Sequence, residues 1–424
     1  MPTFQSVRGM RDLLPEEAET LNHVVSQARE TAELYGYREV ITPVVEPYEL
    51  LSAKSGEEIR SRMFIFKDLG DRKVALRPEF TASIARLVTT ALKTEPKPLR
   101  IFSVGSVYRY DEPQRGRYRE FWQSNFELMG SNKPEADAEA ILLTNSLMKA
   151  TGLNDYAFKI GHIGVIRGIL SQENVDDKVQ NAILQLMDKK EYDKAFELVE
   201  QEKCRTALRG LLELKGDTPF EAAEKIKKHV AGYDKAEAAA DNLLDILRIA
   251  TESGCPVETV EPAFARGLEY YTGMIFEVTA PKLDVALGGG GRYDRLIEVF
   301  GGEPTPAVGV AHGLDRIILA MQMQKTAVSG RREKKVVVIP VKQELNAEAL
   351  KISQKLREAG ISVEFEVMGR KMAKALEDAD KRKVDYAVIV GEKELNESAV
   401  VIRDLAKHEQ TTVKIDKLVE KIRG

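Results

Sequence analysis

Two β-like runs, Leu99 to Arg109 and Phe121 to Met129, flank a polar, glycine-containing stretch from Asp111 to Tyr118. This arrangement predicts an antiparallel hairpin with a long, positively charged tip. Along the second run Gln123, Asn125 and Glu127 alternate with Trp122, Ser124 and Phe126, which sets three polar groups on one face of a strand. Facing a core, they are costly unless they bind something; facing water, they cost little. The alternation does not choose between the two.

The loop and its flanks carry Arg109, Arg115, Arg117 and Arg119, interleaved with Asp111, Glu112 and Glu120. A guanidinium suits phosphate because its planar fork donates two parallel hydrogen bonds. A solvated charged hairpin is the competing reading. The whole chain holds 63 Lys and Arg against 67 Asp and Glu, a net charge of −4. Any polyanion site must therefore be a local cluster.

Four further segments carry candidate chemistry. Arg77 to Thr81 sits where a strand hands over to a helix from Ala82 to Leu92; Thr81 is a candidate N-cap and Glu79 a first-turn charge. ARGLEYYTGMIFEV places Arg266 and Glu269 before Tyr270 and Tyr271, which reads equally as a surface turn. LGGGGRYD puts four glycines, read as a loop, between a strand and a helix, where backbone can approach a ligand or another chain segment. It lacks both P-loop and G-x-G-x-x-G spacing. AVGVAHGLDRIILA opens an apolar helix with Asp315 and Arg316, so the arginine is either a ligand clamp or an ion pair with Asp315.

Length and pattern set the organisation. At 424 residues the chain suggests two or three domains, and 43% hydrophobic with 31% charged residues excludes collagenous and wholly disordered readings. The two cysteines, Cys204 and Cys255, are too few for a disulfide framework, and the five histidines never fall at metal-ligand spacing. With no apolar leader and no long apolar run, a cytoplasmic chain outside the membrane is expected. Helical spacing runs from Glu16 to Tyr35, amphipathic helices fill 172–252, and Ala327 to Lys335 reads as a polar linker. Beyond it a βαβαβ alternation predicts a small α/β unit with a mostly parallel core.

Taken in order, these segments resemble a class II aminoacyl-tRNA synthetase, specifically of the histidyl-tRNA synthetase family, over essentially the whole length. GYREVITPVVEP resembles the class's motif 1, VYRYDEPQRGRYREFWQSNFELMG its motif 2 and AVGVAHGLDRIILA its motif 3; ARGLEYYTG and GGGGRYD are the family-specific pieces. The resemblance implies an α+β fold: an antiparallel-sheet catalytic domain over 1–328, interrupted by a helical insertion at 172–252, and a C-terminal α/β anticodon-binding domain over 333–424. It implies ligation of L-histidine to tRNA(His) with ATP through a histidyl-adenylate, Mg²⁺ carried mainly on the ATP phosphates, and a homodimer joined through motif 1. The alternative is a regulatory paralogue of histidine biosynthesis that binds histidine without charging tRNA.

By the same resemblance Arg109, Arg266 and Arg316 are catalytic, on the nucleotide's phosphates. Glu79, Thr81, Gln123, Glu127, Tyr270 and Tyr271 bind histidine. Arg117 and one of Asp111 or Glu112 join the ATP site. Gln114 and Arg115 in the motif 2 loop, with Arg370, Lys371 and Lys374 in the last domain, contact tRNA. The motif departs from the usual Arg-x-Glu at Arg109-Tyr110-Asp111-Glu112, which leaves open which carboxylate meets adenine. His312 reads as a packing residue.

Overall fold

The computed structural model describes residues 4–53, 56–255, 257–266, 270–326 and 334–423. The expected domain boundary, most of the linker and Glu269 lie outside them. The chain forms two compact units, Met1–Val328 and Ser329–Gly424.

The first unit contains strands β1 (Arg38–Glu39), β2 (Val45–Pro47), β3 (Ile65–Lys67), β4 (Lys73–Leu76), β5 (Leu99–Tyr108), β6 (Glu120–Met129), β7 (Ala157–His162), β8 (Thr259–Val260), β9 (Met274–Thr279), β10 (Gly288–Arg292) and β11 (Ala307–Gly313). Eight of them build one sheet in the order β1-β5-β6-β11-β10-β9-β7-β8, antiparallel except at its two edges. β5 and β6 form the expected hairpin, ten residues a side. A second sheet, β2-β4-β3, lies before it in sequence.

The sheet's two faces differ in chemistry, and the helices follow that difference. Phe102, Phe126 and Leu128 point to the face covered by helices Pro15–Leu34 and Pro134–Ala150, whose buried stripes include Val24, Val25, Ala28, Ile141 and Leu147. Burying each Val, Ile, Leu or Phe side chain among these contributes about 1.5–3 kcal/mol. Because side chains alternate along a strand, putting Phe126 in this core sends Gln123, Asn125 and Glu127 to the opposite face. His312 falls on the helix side: it is fully buried, with Nδ1 3.2 Å from the Ser124 hydroxyl and Nε2 3.0 Å from that of Thr144. Burial holds its pKa down at about 3, so it is a neutral packing residue as expected.

Between Asp177 and Glu252 five helices follow one another, and their buried residues, among them Ile183, Leu208 and Leu243, belong to the same continuous core as the sheet. His162, at the end of β7, helps seat them. Its Nδ1 accepts from the Gly164 amide as the cap of helix Ile163–Gln172, and its Nε2 lies 3.1 Å from Asn242 on the last of the five.

The second unit is a five-stranded sheet, β12 (Lys335–Pro340), β13 (Ser362–Phe365), β14 (Tyr386–Val390), β15 (Ala399–Asp404) and β16 (Glu409–Lys414), in the order β13-β12-β14-β15-β16. The parallel pairs of β12 with β13 and β14 match the βαβαβ expectation. Two antiparallel strands, β15 and β16, extend it. Val336 and Val338 pack on one face, Val337 and Ile339 on the other, as a strand covered on both sides requires. Among the described residues no helix is long and apolar enough to cross a membrane.

Candidate active site

The polar face of the large sheet is the floor of a cleft of about 410 Å³. Register fixes its layout. Gln123, Asn125 and Glu127 of β6 stand opposite Gly313, Ala311 and Gly309 of β11, which in turn face Gly289 and Gly291 of β10, then Glu277 and Ile275 of β9. The neighbouring positions are thus nearly bare of side chains, and ligand can lie on backbone. At about 3.3 Å per residue, Gln123 and Glu127 are separated by roughly 13 Å along the strand, enough for a small amino acid and a phosphate end to end.

The four-glycine segment, expected as a loop, is strand β10 itself. Crowding explains it: a Cβ at Gly291 would lie 2.5 Å from the Met274 carbonyl and 3.0 Å from the Tyr271 ring, and one at Gly290 would run into the Gly309 carbonyl. Glycine's weak strand preference yields to a site where nothing larger fits. Gly309 likewise makes room for the Glu127 carboxylate.

Glu127, 1% exposed, accepts hydrogen bonds from the Thr81 hydroxyl (2.7 Å), the Asn125 amide (2.9 Å) and the Tyr293 hydroxyl. Burial still pushes its carboxyl up to about 7, against the pull of those donors. Tyr293, Tyr270 and Tyr271 form an edge-on aromatic wall, with ring centroids 5.0 and 5.6 Å apart, and burial raises all three phenols. Thr81 is not an N-cap. The carboxylate of Glu79 takes that role, accepting from the Thr81 and Ala82 amides, which frees the Thr81 side chain for Glu127. The buried side-chain oxygen of Gln123 has no hydrogen-bond partner among the described residues, which leaves an acceptor for a ligand N–H.

Arg109, Arg117, Arg266 and Arg316 all line the same cleft. Each comes from a different local device. Arg109 follows β5 and donates to the Pro78 carbonyl at 2.9 Å, while Arg316 opens helix Leu314–Gln324 and donates to the Ala286 carbonyl at 2.9 Å. Burial, with the positive charges of Arg109, Arg117 and Arg266, pulls Arg316 down to about 10. These guanidiniums therefore share one electrostatic neighbourhood, which favours an anion among them. Arg316 does not pair with Asp315. That carboxylate is taken by Arg11 and by the Trp122 amide at 2.7 Å.

The candidates are not all gathered. Glu79, Thr81, Gln123, Glu127, Tyr270, Tyr271, Asp111 and the four arginines line the cleft. Glu112 is a correction to the expected nucleotide site: it is exposed and paired with Arg8, outside the cleft, whereas Asp111 faces in and pairs with Arg62 at 2.9 Å. Gln114 and Arg115 stay exposed at the loop tip. In the second unit Arg370 is held by Glu366 (3.1 Å) and Asp378 (3.3 Å), so less positive charge is free there than the sequence suggests; among the described residues Lys371 and Lys374 have no salt-bridge partner. Sequence reasoning passed over Arg62, Glu277 and Tyr293. Tyr293 lay within a quoted motif, but nothing in its spacing pointed at Glu127.

The model for histidyl-tRNA synthetase matches residues 9–317, and that for an anticodon binding domain matches 335–424. The chain belongs to the histidyl-tRNA synthetase family. Among its relatives, a histidine–tRNA ligase of Methanocaldococcus jannaschii is 42% identical over 420 residues, covering 98% of each chain, and one of Pyrococcus furiosus is 39% identical over 429 residues, again 98% of each. The solved histidyl-tRNA synthetase of Nostoc sp. PCC 7120 superposes with a TM-score of 0.79 over 100% of this chain and 99% of that one; at 23% identity it speaks for the fold. As a family member, the chain shows the antiparallel class II sheet and the separate C-terminal unit expected from sequence.

Proposed function

We propose that this synthetase activates L-histidine with ATP and transfers it to the 3′ end of tRNA(His). The observation that carries the reading is the gathering of Arg109, Arg117, Arg266 and Arg316 in one cleft with the buried Glu127 pocket. In the first step a carboxylate oxygen of histidine attacks the α-phosphorus, forming an O–P bond as the bond to pyrophosphate breaks. Negative charge builds between two anions that repel, and guanidiniums fixed there beforehand lower the barrier; loss of one such donor costs about 3 kcal/mol. Arg109 and Arg266 act at the α-phosphate and Arg316 at the distal phosphates. Glu79, Thr81 and Gln123 hold the α-amino and carboxylate groups. Glu127 and the tyrosine wall grip the imidazole, and a site that pairs both ring edges rejects analogues lacking them by roughly 10⁴-fold. In the second step a ribose hydroxyl of the tRNA attacks the acyl carbon and AMP leaves.

Magnesium fits this site as a passenger on the nucleotide. Among the described residues no cluster of three His, Cys, Asp or Glu side chains is arranged to hold a metal, and Asp111 and Glu277 are already engaged by Arg62 and Arg266. When bound, it would neutralise phosphate charge.

The motif 1 region supports a homodimer. Ile41 and Val45 there are large apolar side chains 89% and 42% exposed, and Phe66, 43% exposed, shares a face of the β2-β4-β3 sheet with Val45; a second copy would cover them. Lys371 and Lys374, beside the exposed Val367 and Met368, form the surface of the second unit that we assign to tRNA, and in the first unit we assign Gln114 and Arg115 of the motif 2 loop to tRNA as well. We take residues 1–328 as the catalytic domain, with the insertion at 172–252, and 333–424 as the anticodon-binding domain, acting in the cytoplasm. A regulatory paralogue has no need of the arginine set. Charging purified tRNA with radiolabelled histidine tests the reading: ATP-dependent charging is expected, and histidine binding without charging would favour the paralogue.

A further inference from the structure

One carboxylate stands on the cleft floor with no part in the chemistry above. Glu277 of β9 lies in the same cross-sheet row as Gly289, Ala311 and Asn125, on the face that carries the arginines. Its two oxygens face two different cations. Oε1 accepts from Arg266, and Oε2 is 3.4 Å from the Lys159 ammonium of β7. That ammonium is 3.0 Å from Glu261 and rests 4.3 Å over the Phe264 ring. Arg266, Glu277, Lys159 and Glu261 therefore alternate in charge across the edge of the sheet. The bare Gly289 belongs to the same arrangement, since a Cβ there would lie 3.2 Å from Arg266 Nη2.

A guanidinium already paired with a carboxylate cannot give its full charge to a phosphate. It must trade partners, and a half-buried carboxylate abandoned in the trade would oppose binding. Here it is not abandoned, because Lys159 is already beside its second oxygen. We propose that Glu277 is a positioning residue for Arg266: it aims the guanidinium across the floor, yields it to the nucleotide's phosphate, and passes its own charge to Lys159. The inference rests on the activation chemistry proposed above. Its consequence is a split between ground-state binding and turnover. The exchange weakens ATP binding, while the aim it gives Arg266 is spent on the transition state.

The test is histidine-dependent ATP–pyrophosphate exchange in the full-length protein carrying Glu277→Gln, Lys159→Met or both. Glu277→Gln removes the competitor and the aim, so the ATP KM falls roughly 2- to 5-fold, the scale of a partly exposed ion pair, while kcat falls about tenfold or more. Lys159→Met leaves Glu277 to Arg266 alone, so the ATP KM rises by a similar factor. In the double variant that rise disappears. The histidine KM stays constant throughout, because Glu127 lies in a different row. A purely structural role would move both KM values together or shift the two single variants in the same direction, and either result overturns the relay, as does no shift at all. Should Glu277→Gln not fold, the sign of the Lys159→Met shift decides alone. A wild-type protein without histidine-dependent exchange would instead overturn the activation chemistry itself.

Discussion

A carboxylate with almost no solvent survives at Glu127 because Thr81, Asn125 and Tyr293 donate to it, and even so burial raises its pKa from 4.5 to about 7. The folded protein thus binds a proton there that the unfolded chain releases between those two values. Stability from this group is full below about pH 4.5 and is lost as pH rises through 7, a change on the order of 2–3 kcal/mol. Glu127→Gln cannot titrate. Urea unfolding at pH 4.5 and 7.5 should show wild type losing stability relative to that variant by about this amount, and equal slopes would remove Glu127 as the cause. At this scale the arginines were legible only through the order of the motifs, because a guanidinium in a charged loop serves a solvated hairpin or a surface ion pair as readily as a phosphate. Tyr293 and Glu277 were not, because Glu127 and Lys159, the partners that place them, lie far along the chain and no spacing encodes a contact that only the assembled sheet creates.

Among the elements, the β5–β6 hairpin was plain from its alternation, whereas β10 was mistaken for a loop because four glycines argue locally against a strand. What overrides that propensity is crowding from Met274, Tyr271 and Gly309. β16 went unread because its residues are almost all exposed and carry no apolar alternation. The glycine strand ends on a structural arginine: Arg292, 7% exposed at its side chain, is clamped by Asp137 at 2.8 Å and by Asp294 at 3.0 Å. It ties β10 to helix Pro134–Ala150 beneath the floor. Asp137→Ala would leave that guanidinium buried without its main partner, and we expect a loss of about 3–5 kcal/mol in denaturant unfolding. A loss below 1 kcal/mol would mean that the pair does not hold the floor.

At the scale of the molecule, the two units have separate cores, so a surface change in the second need not disturb the cleft of the first. Lys371→Ala with Lys374→Ala should raise the tRNA KM and flatten its salt dependence by about one unit of slope per lysine, while leaving pyrophosphate exchange unchanged. If charging kinetics were the same at low and moderate salt in wild type and variant, the tRNA surface would lie elsewhere. The two-unit division could be read from the linker composition and the βαβαβ pattern. The single core shared by the five insertion helices and the sheet could not, since amphipathic periodicity shows that a helix has a buried face but not what buries it.

The whole account turns on guanidiniums from distant parts of the chain acting on one nucleotide. Histidine-dependent pyrophosphate exchange by Arg266→Ala, with folding checked by circular dichroism, tests this most directly. We expect the variant to fold normally and to lose at least roughly 100-fold in exchange rate. A folded variant that exchanges at the wild-type rate would contradict the account.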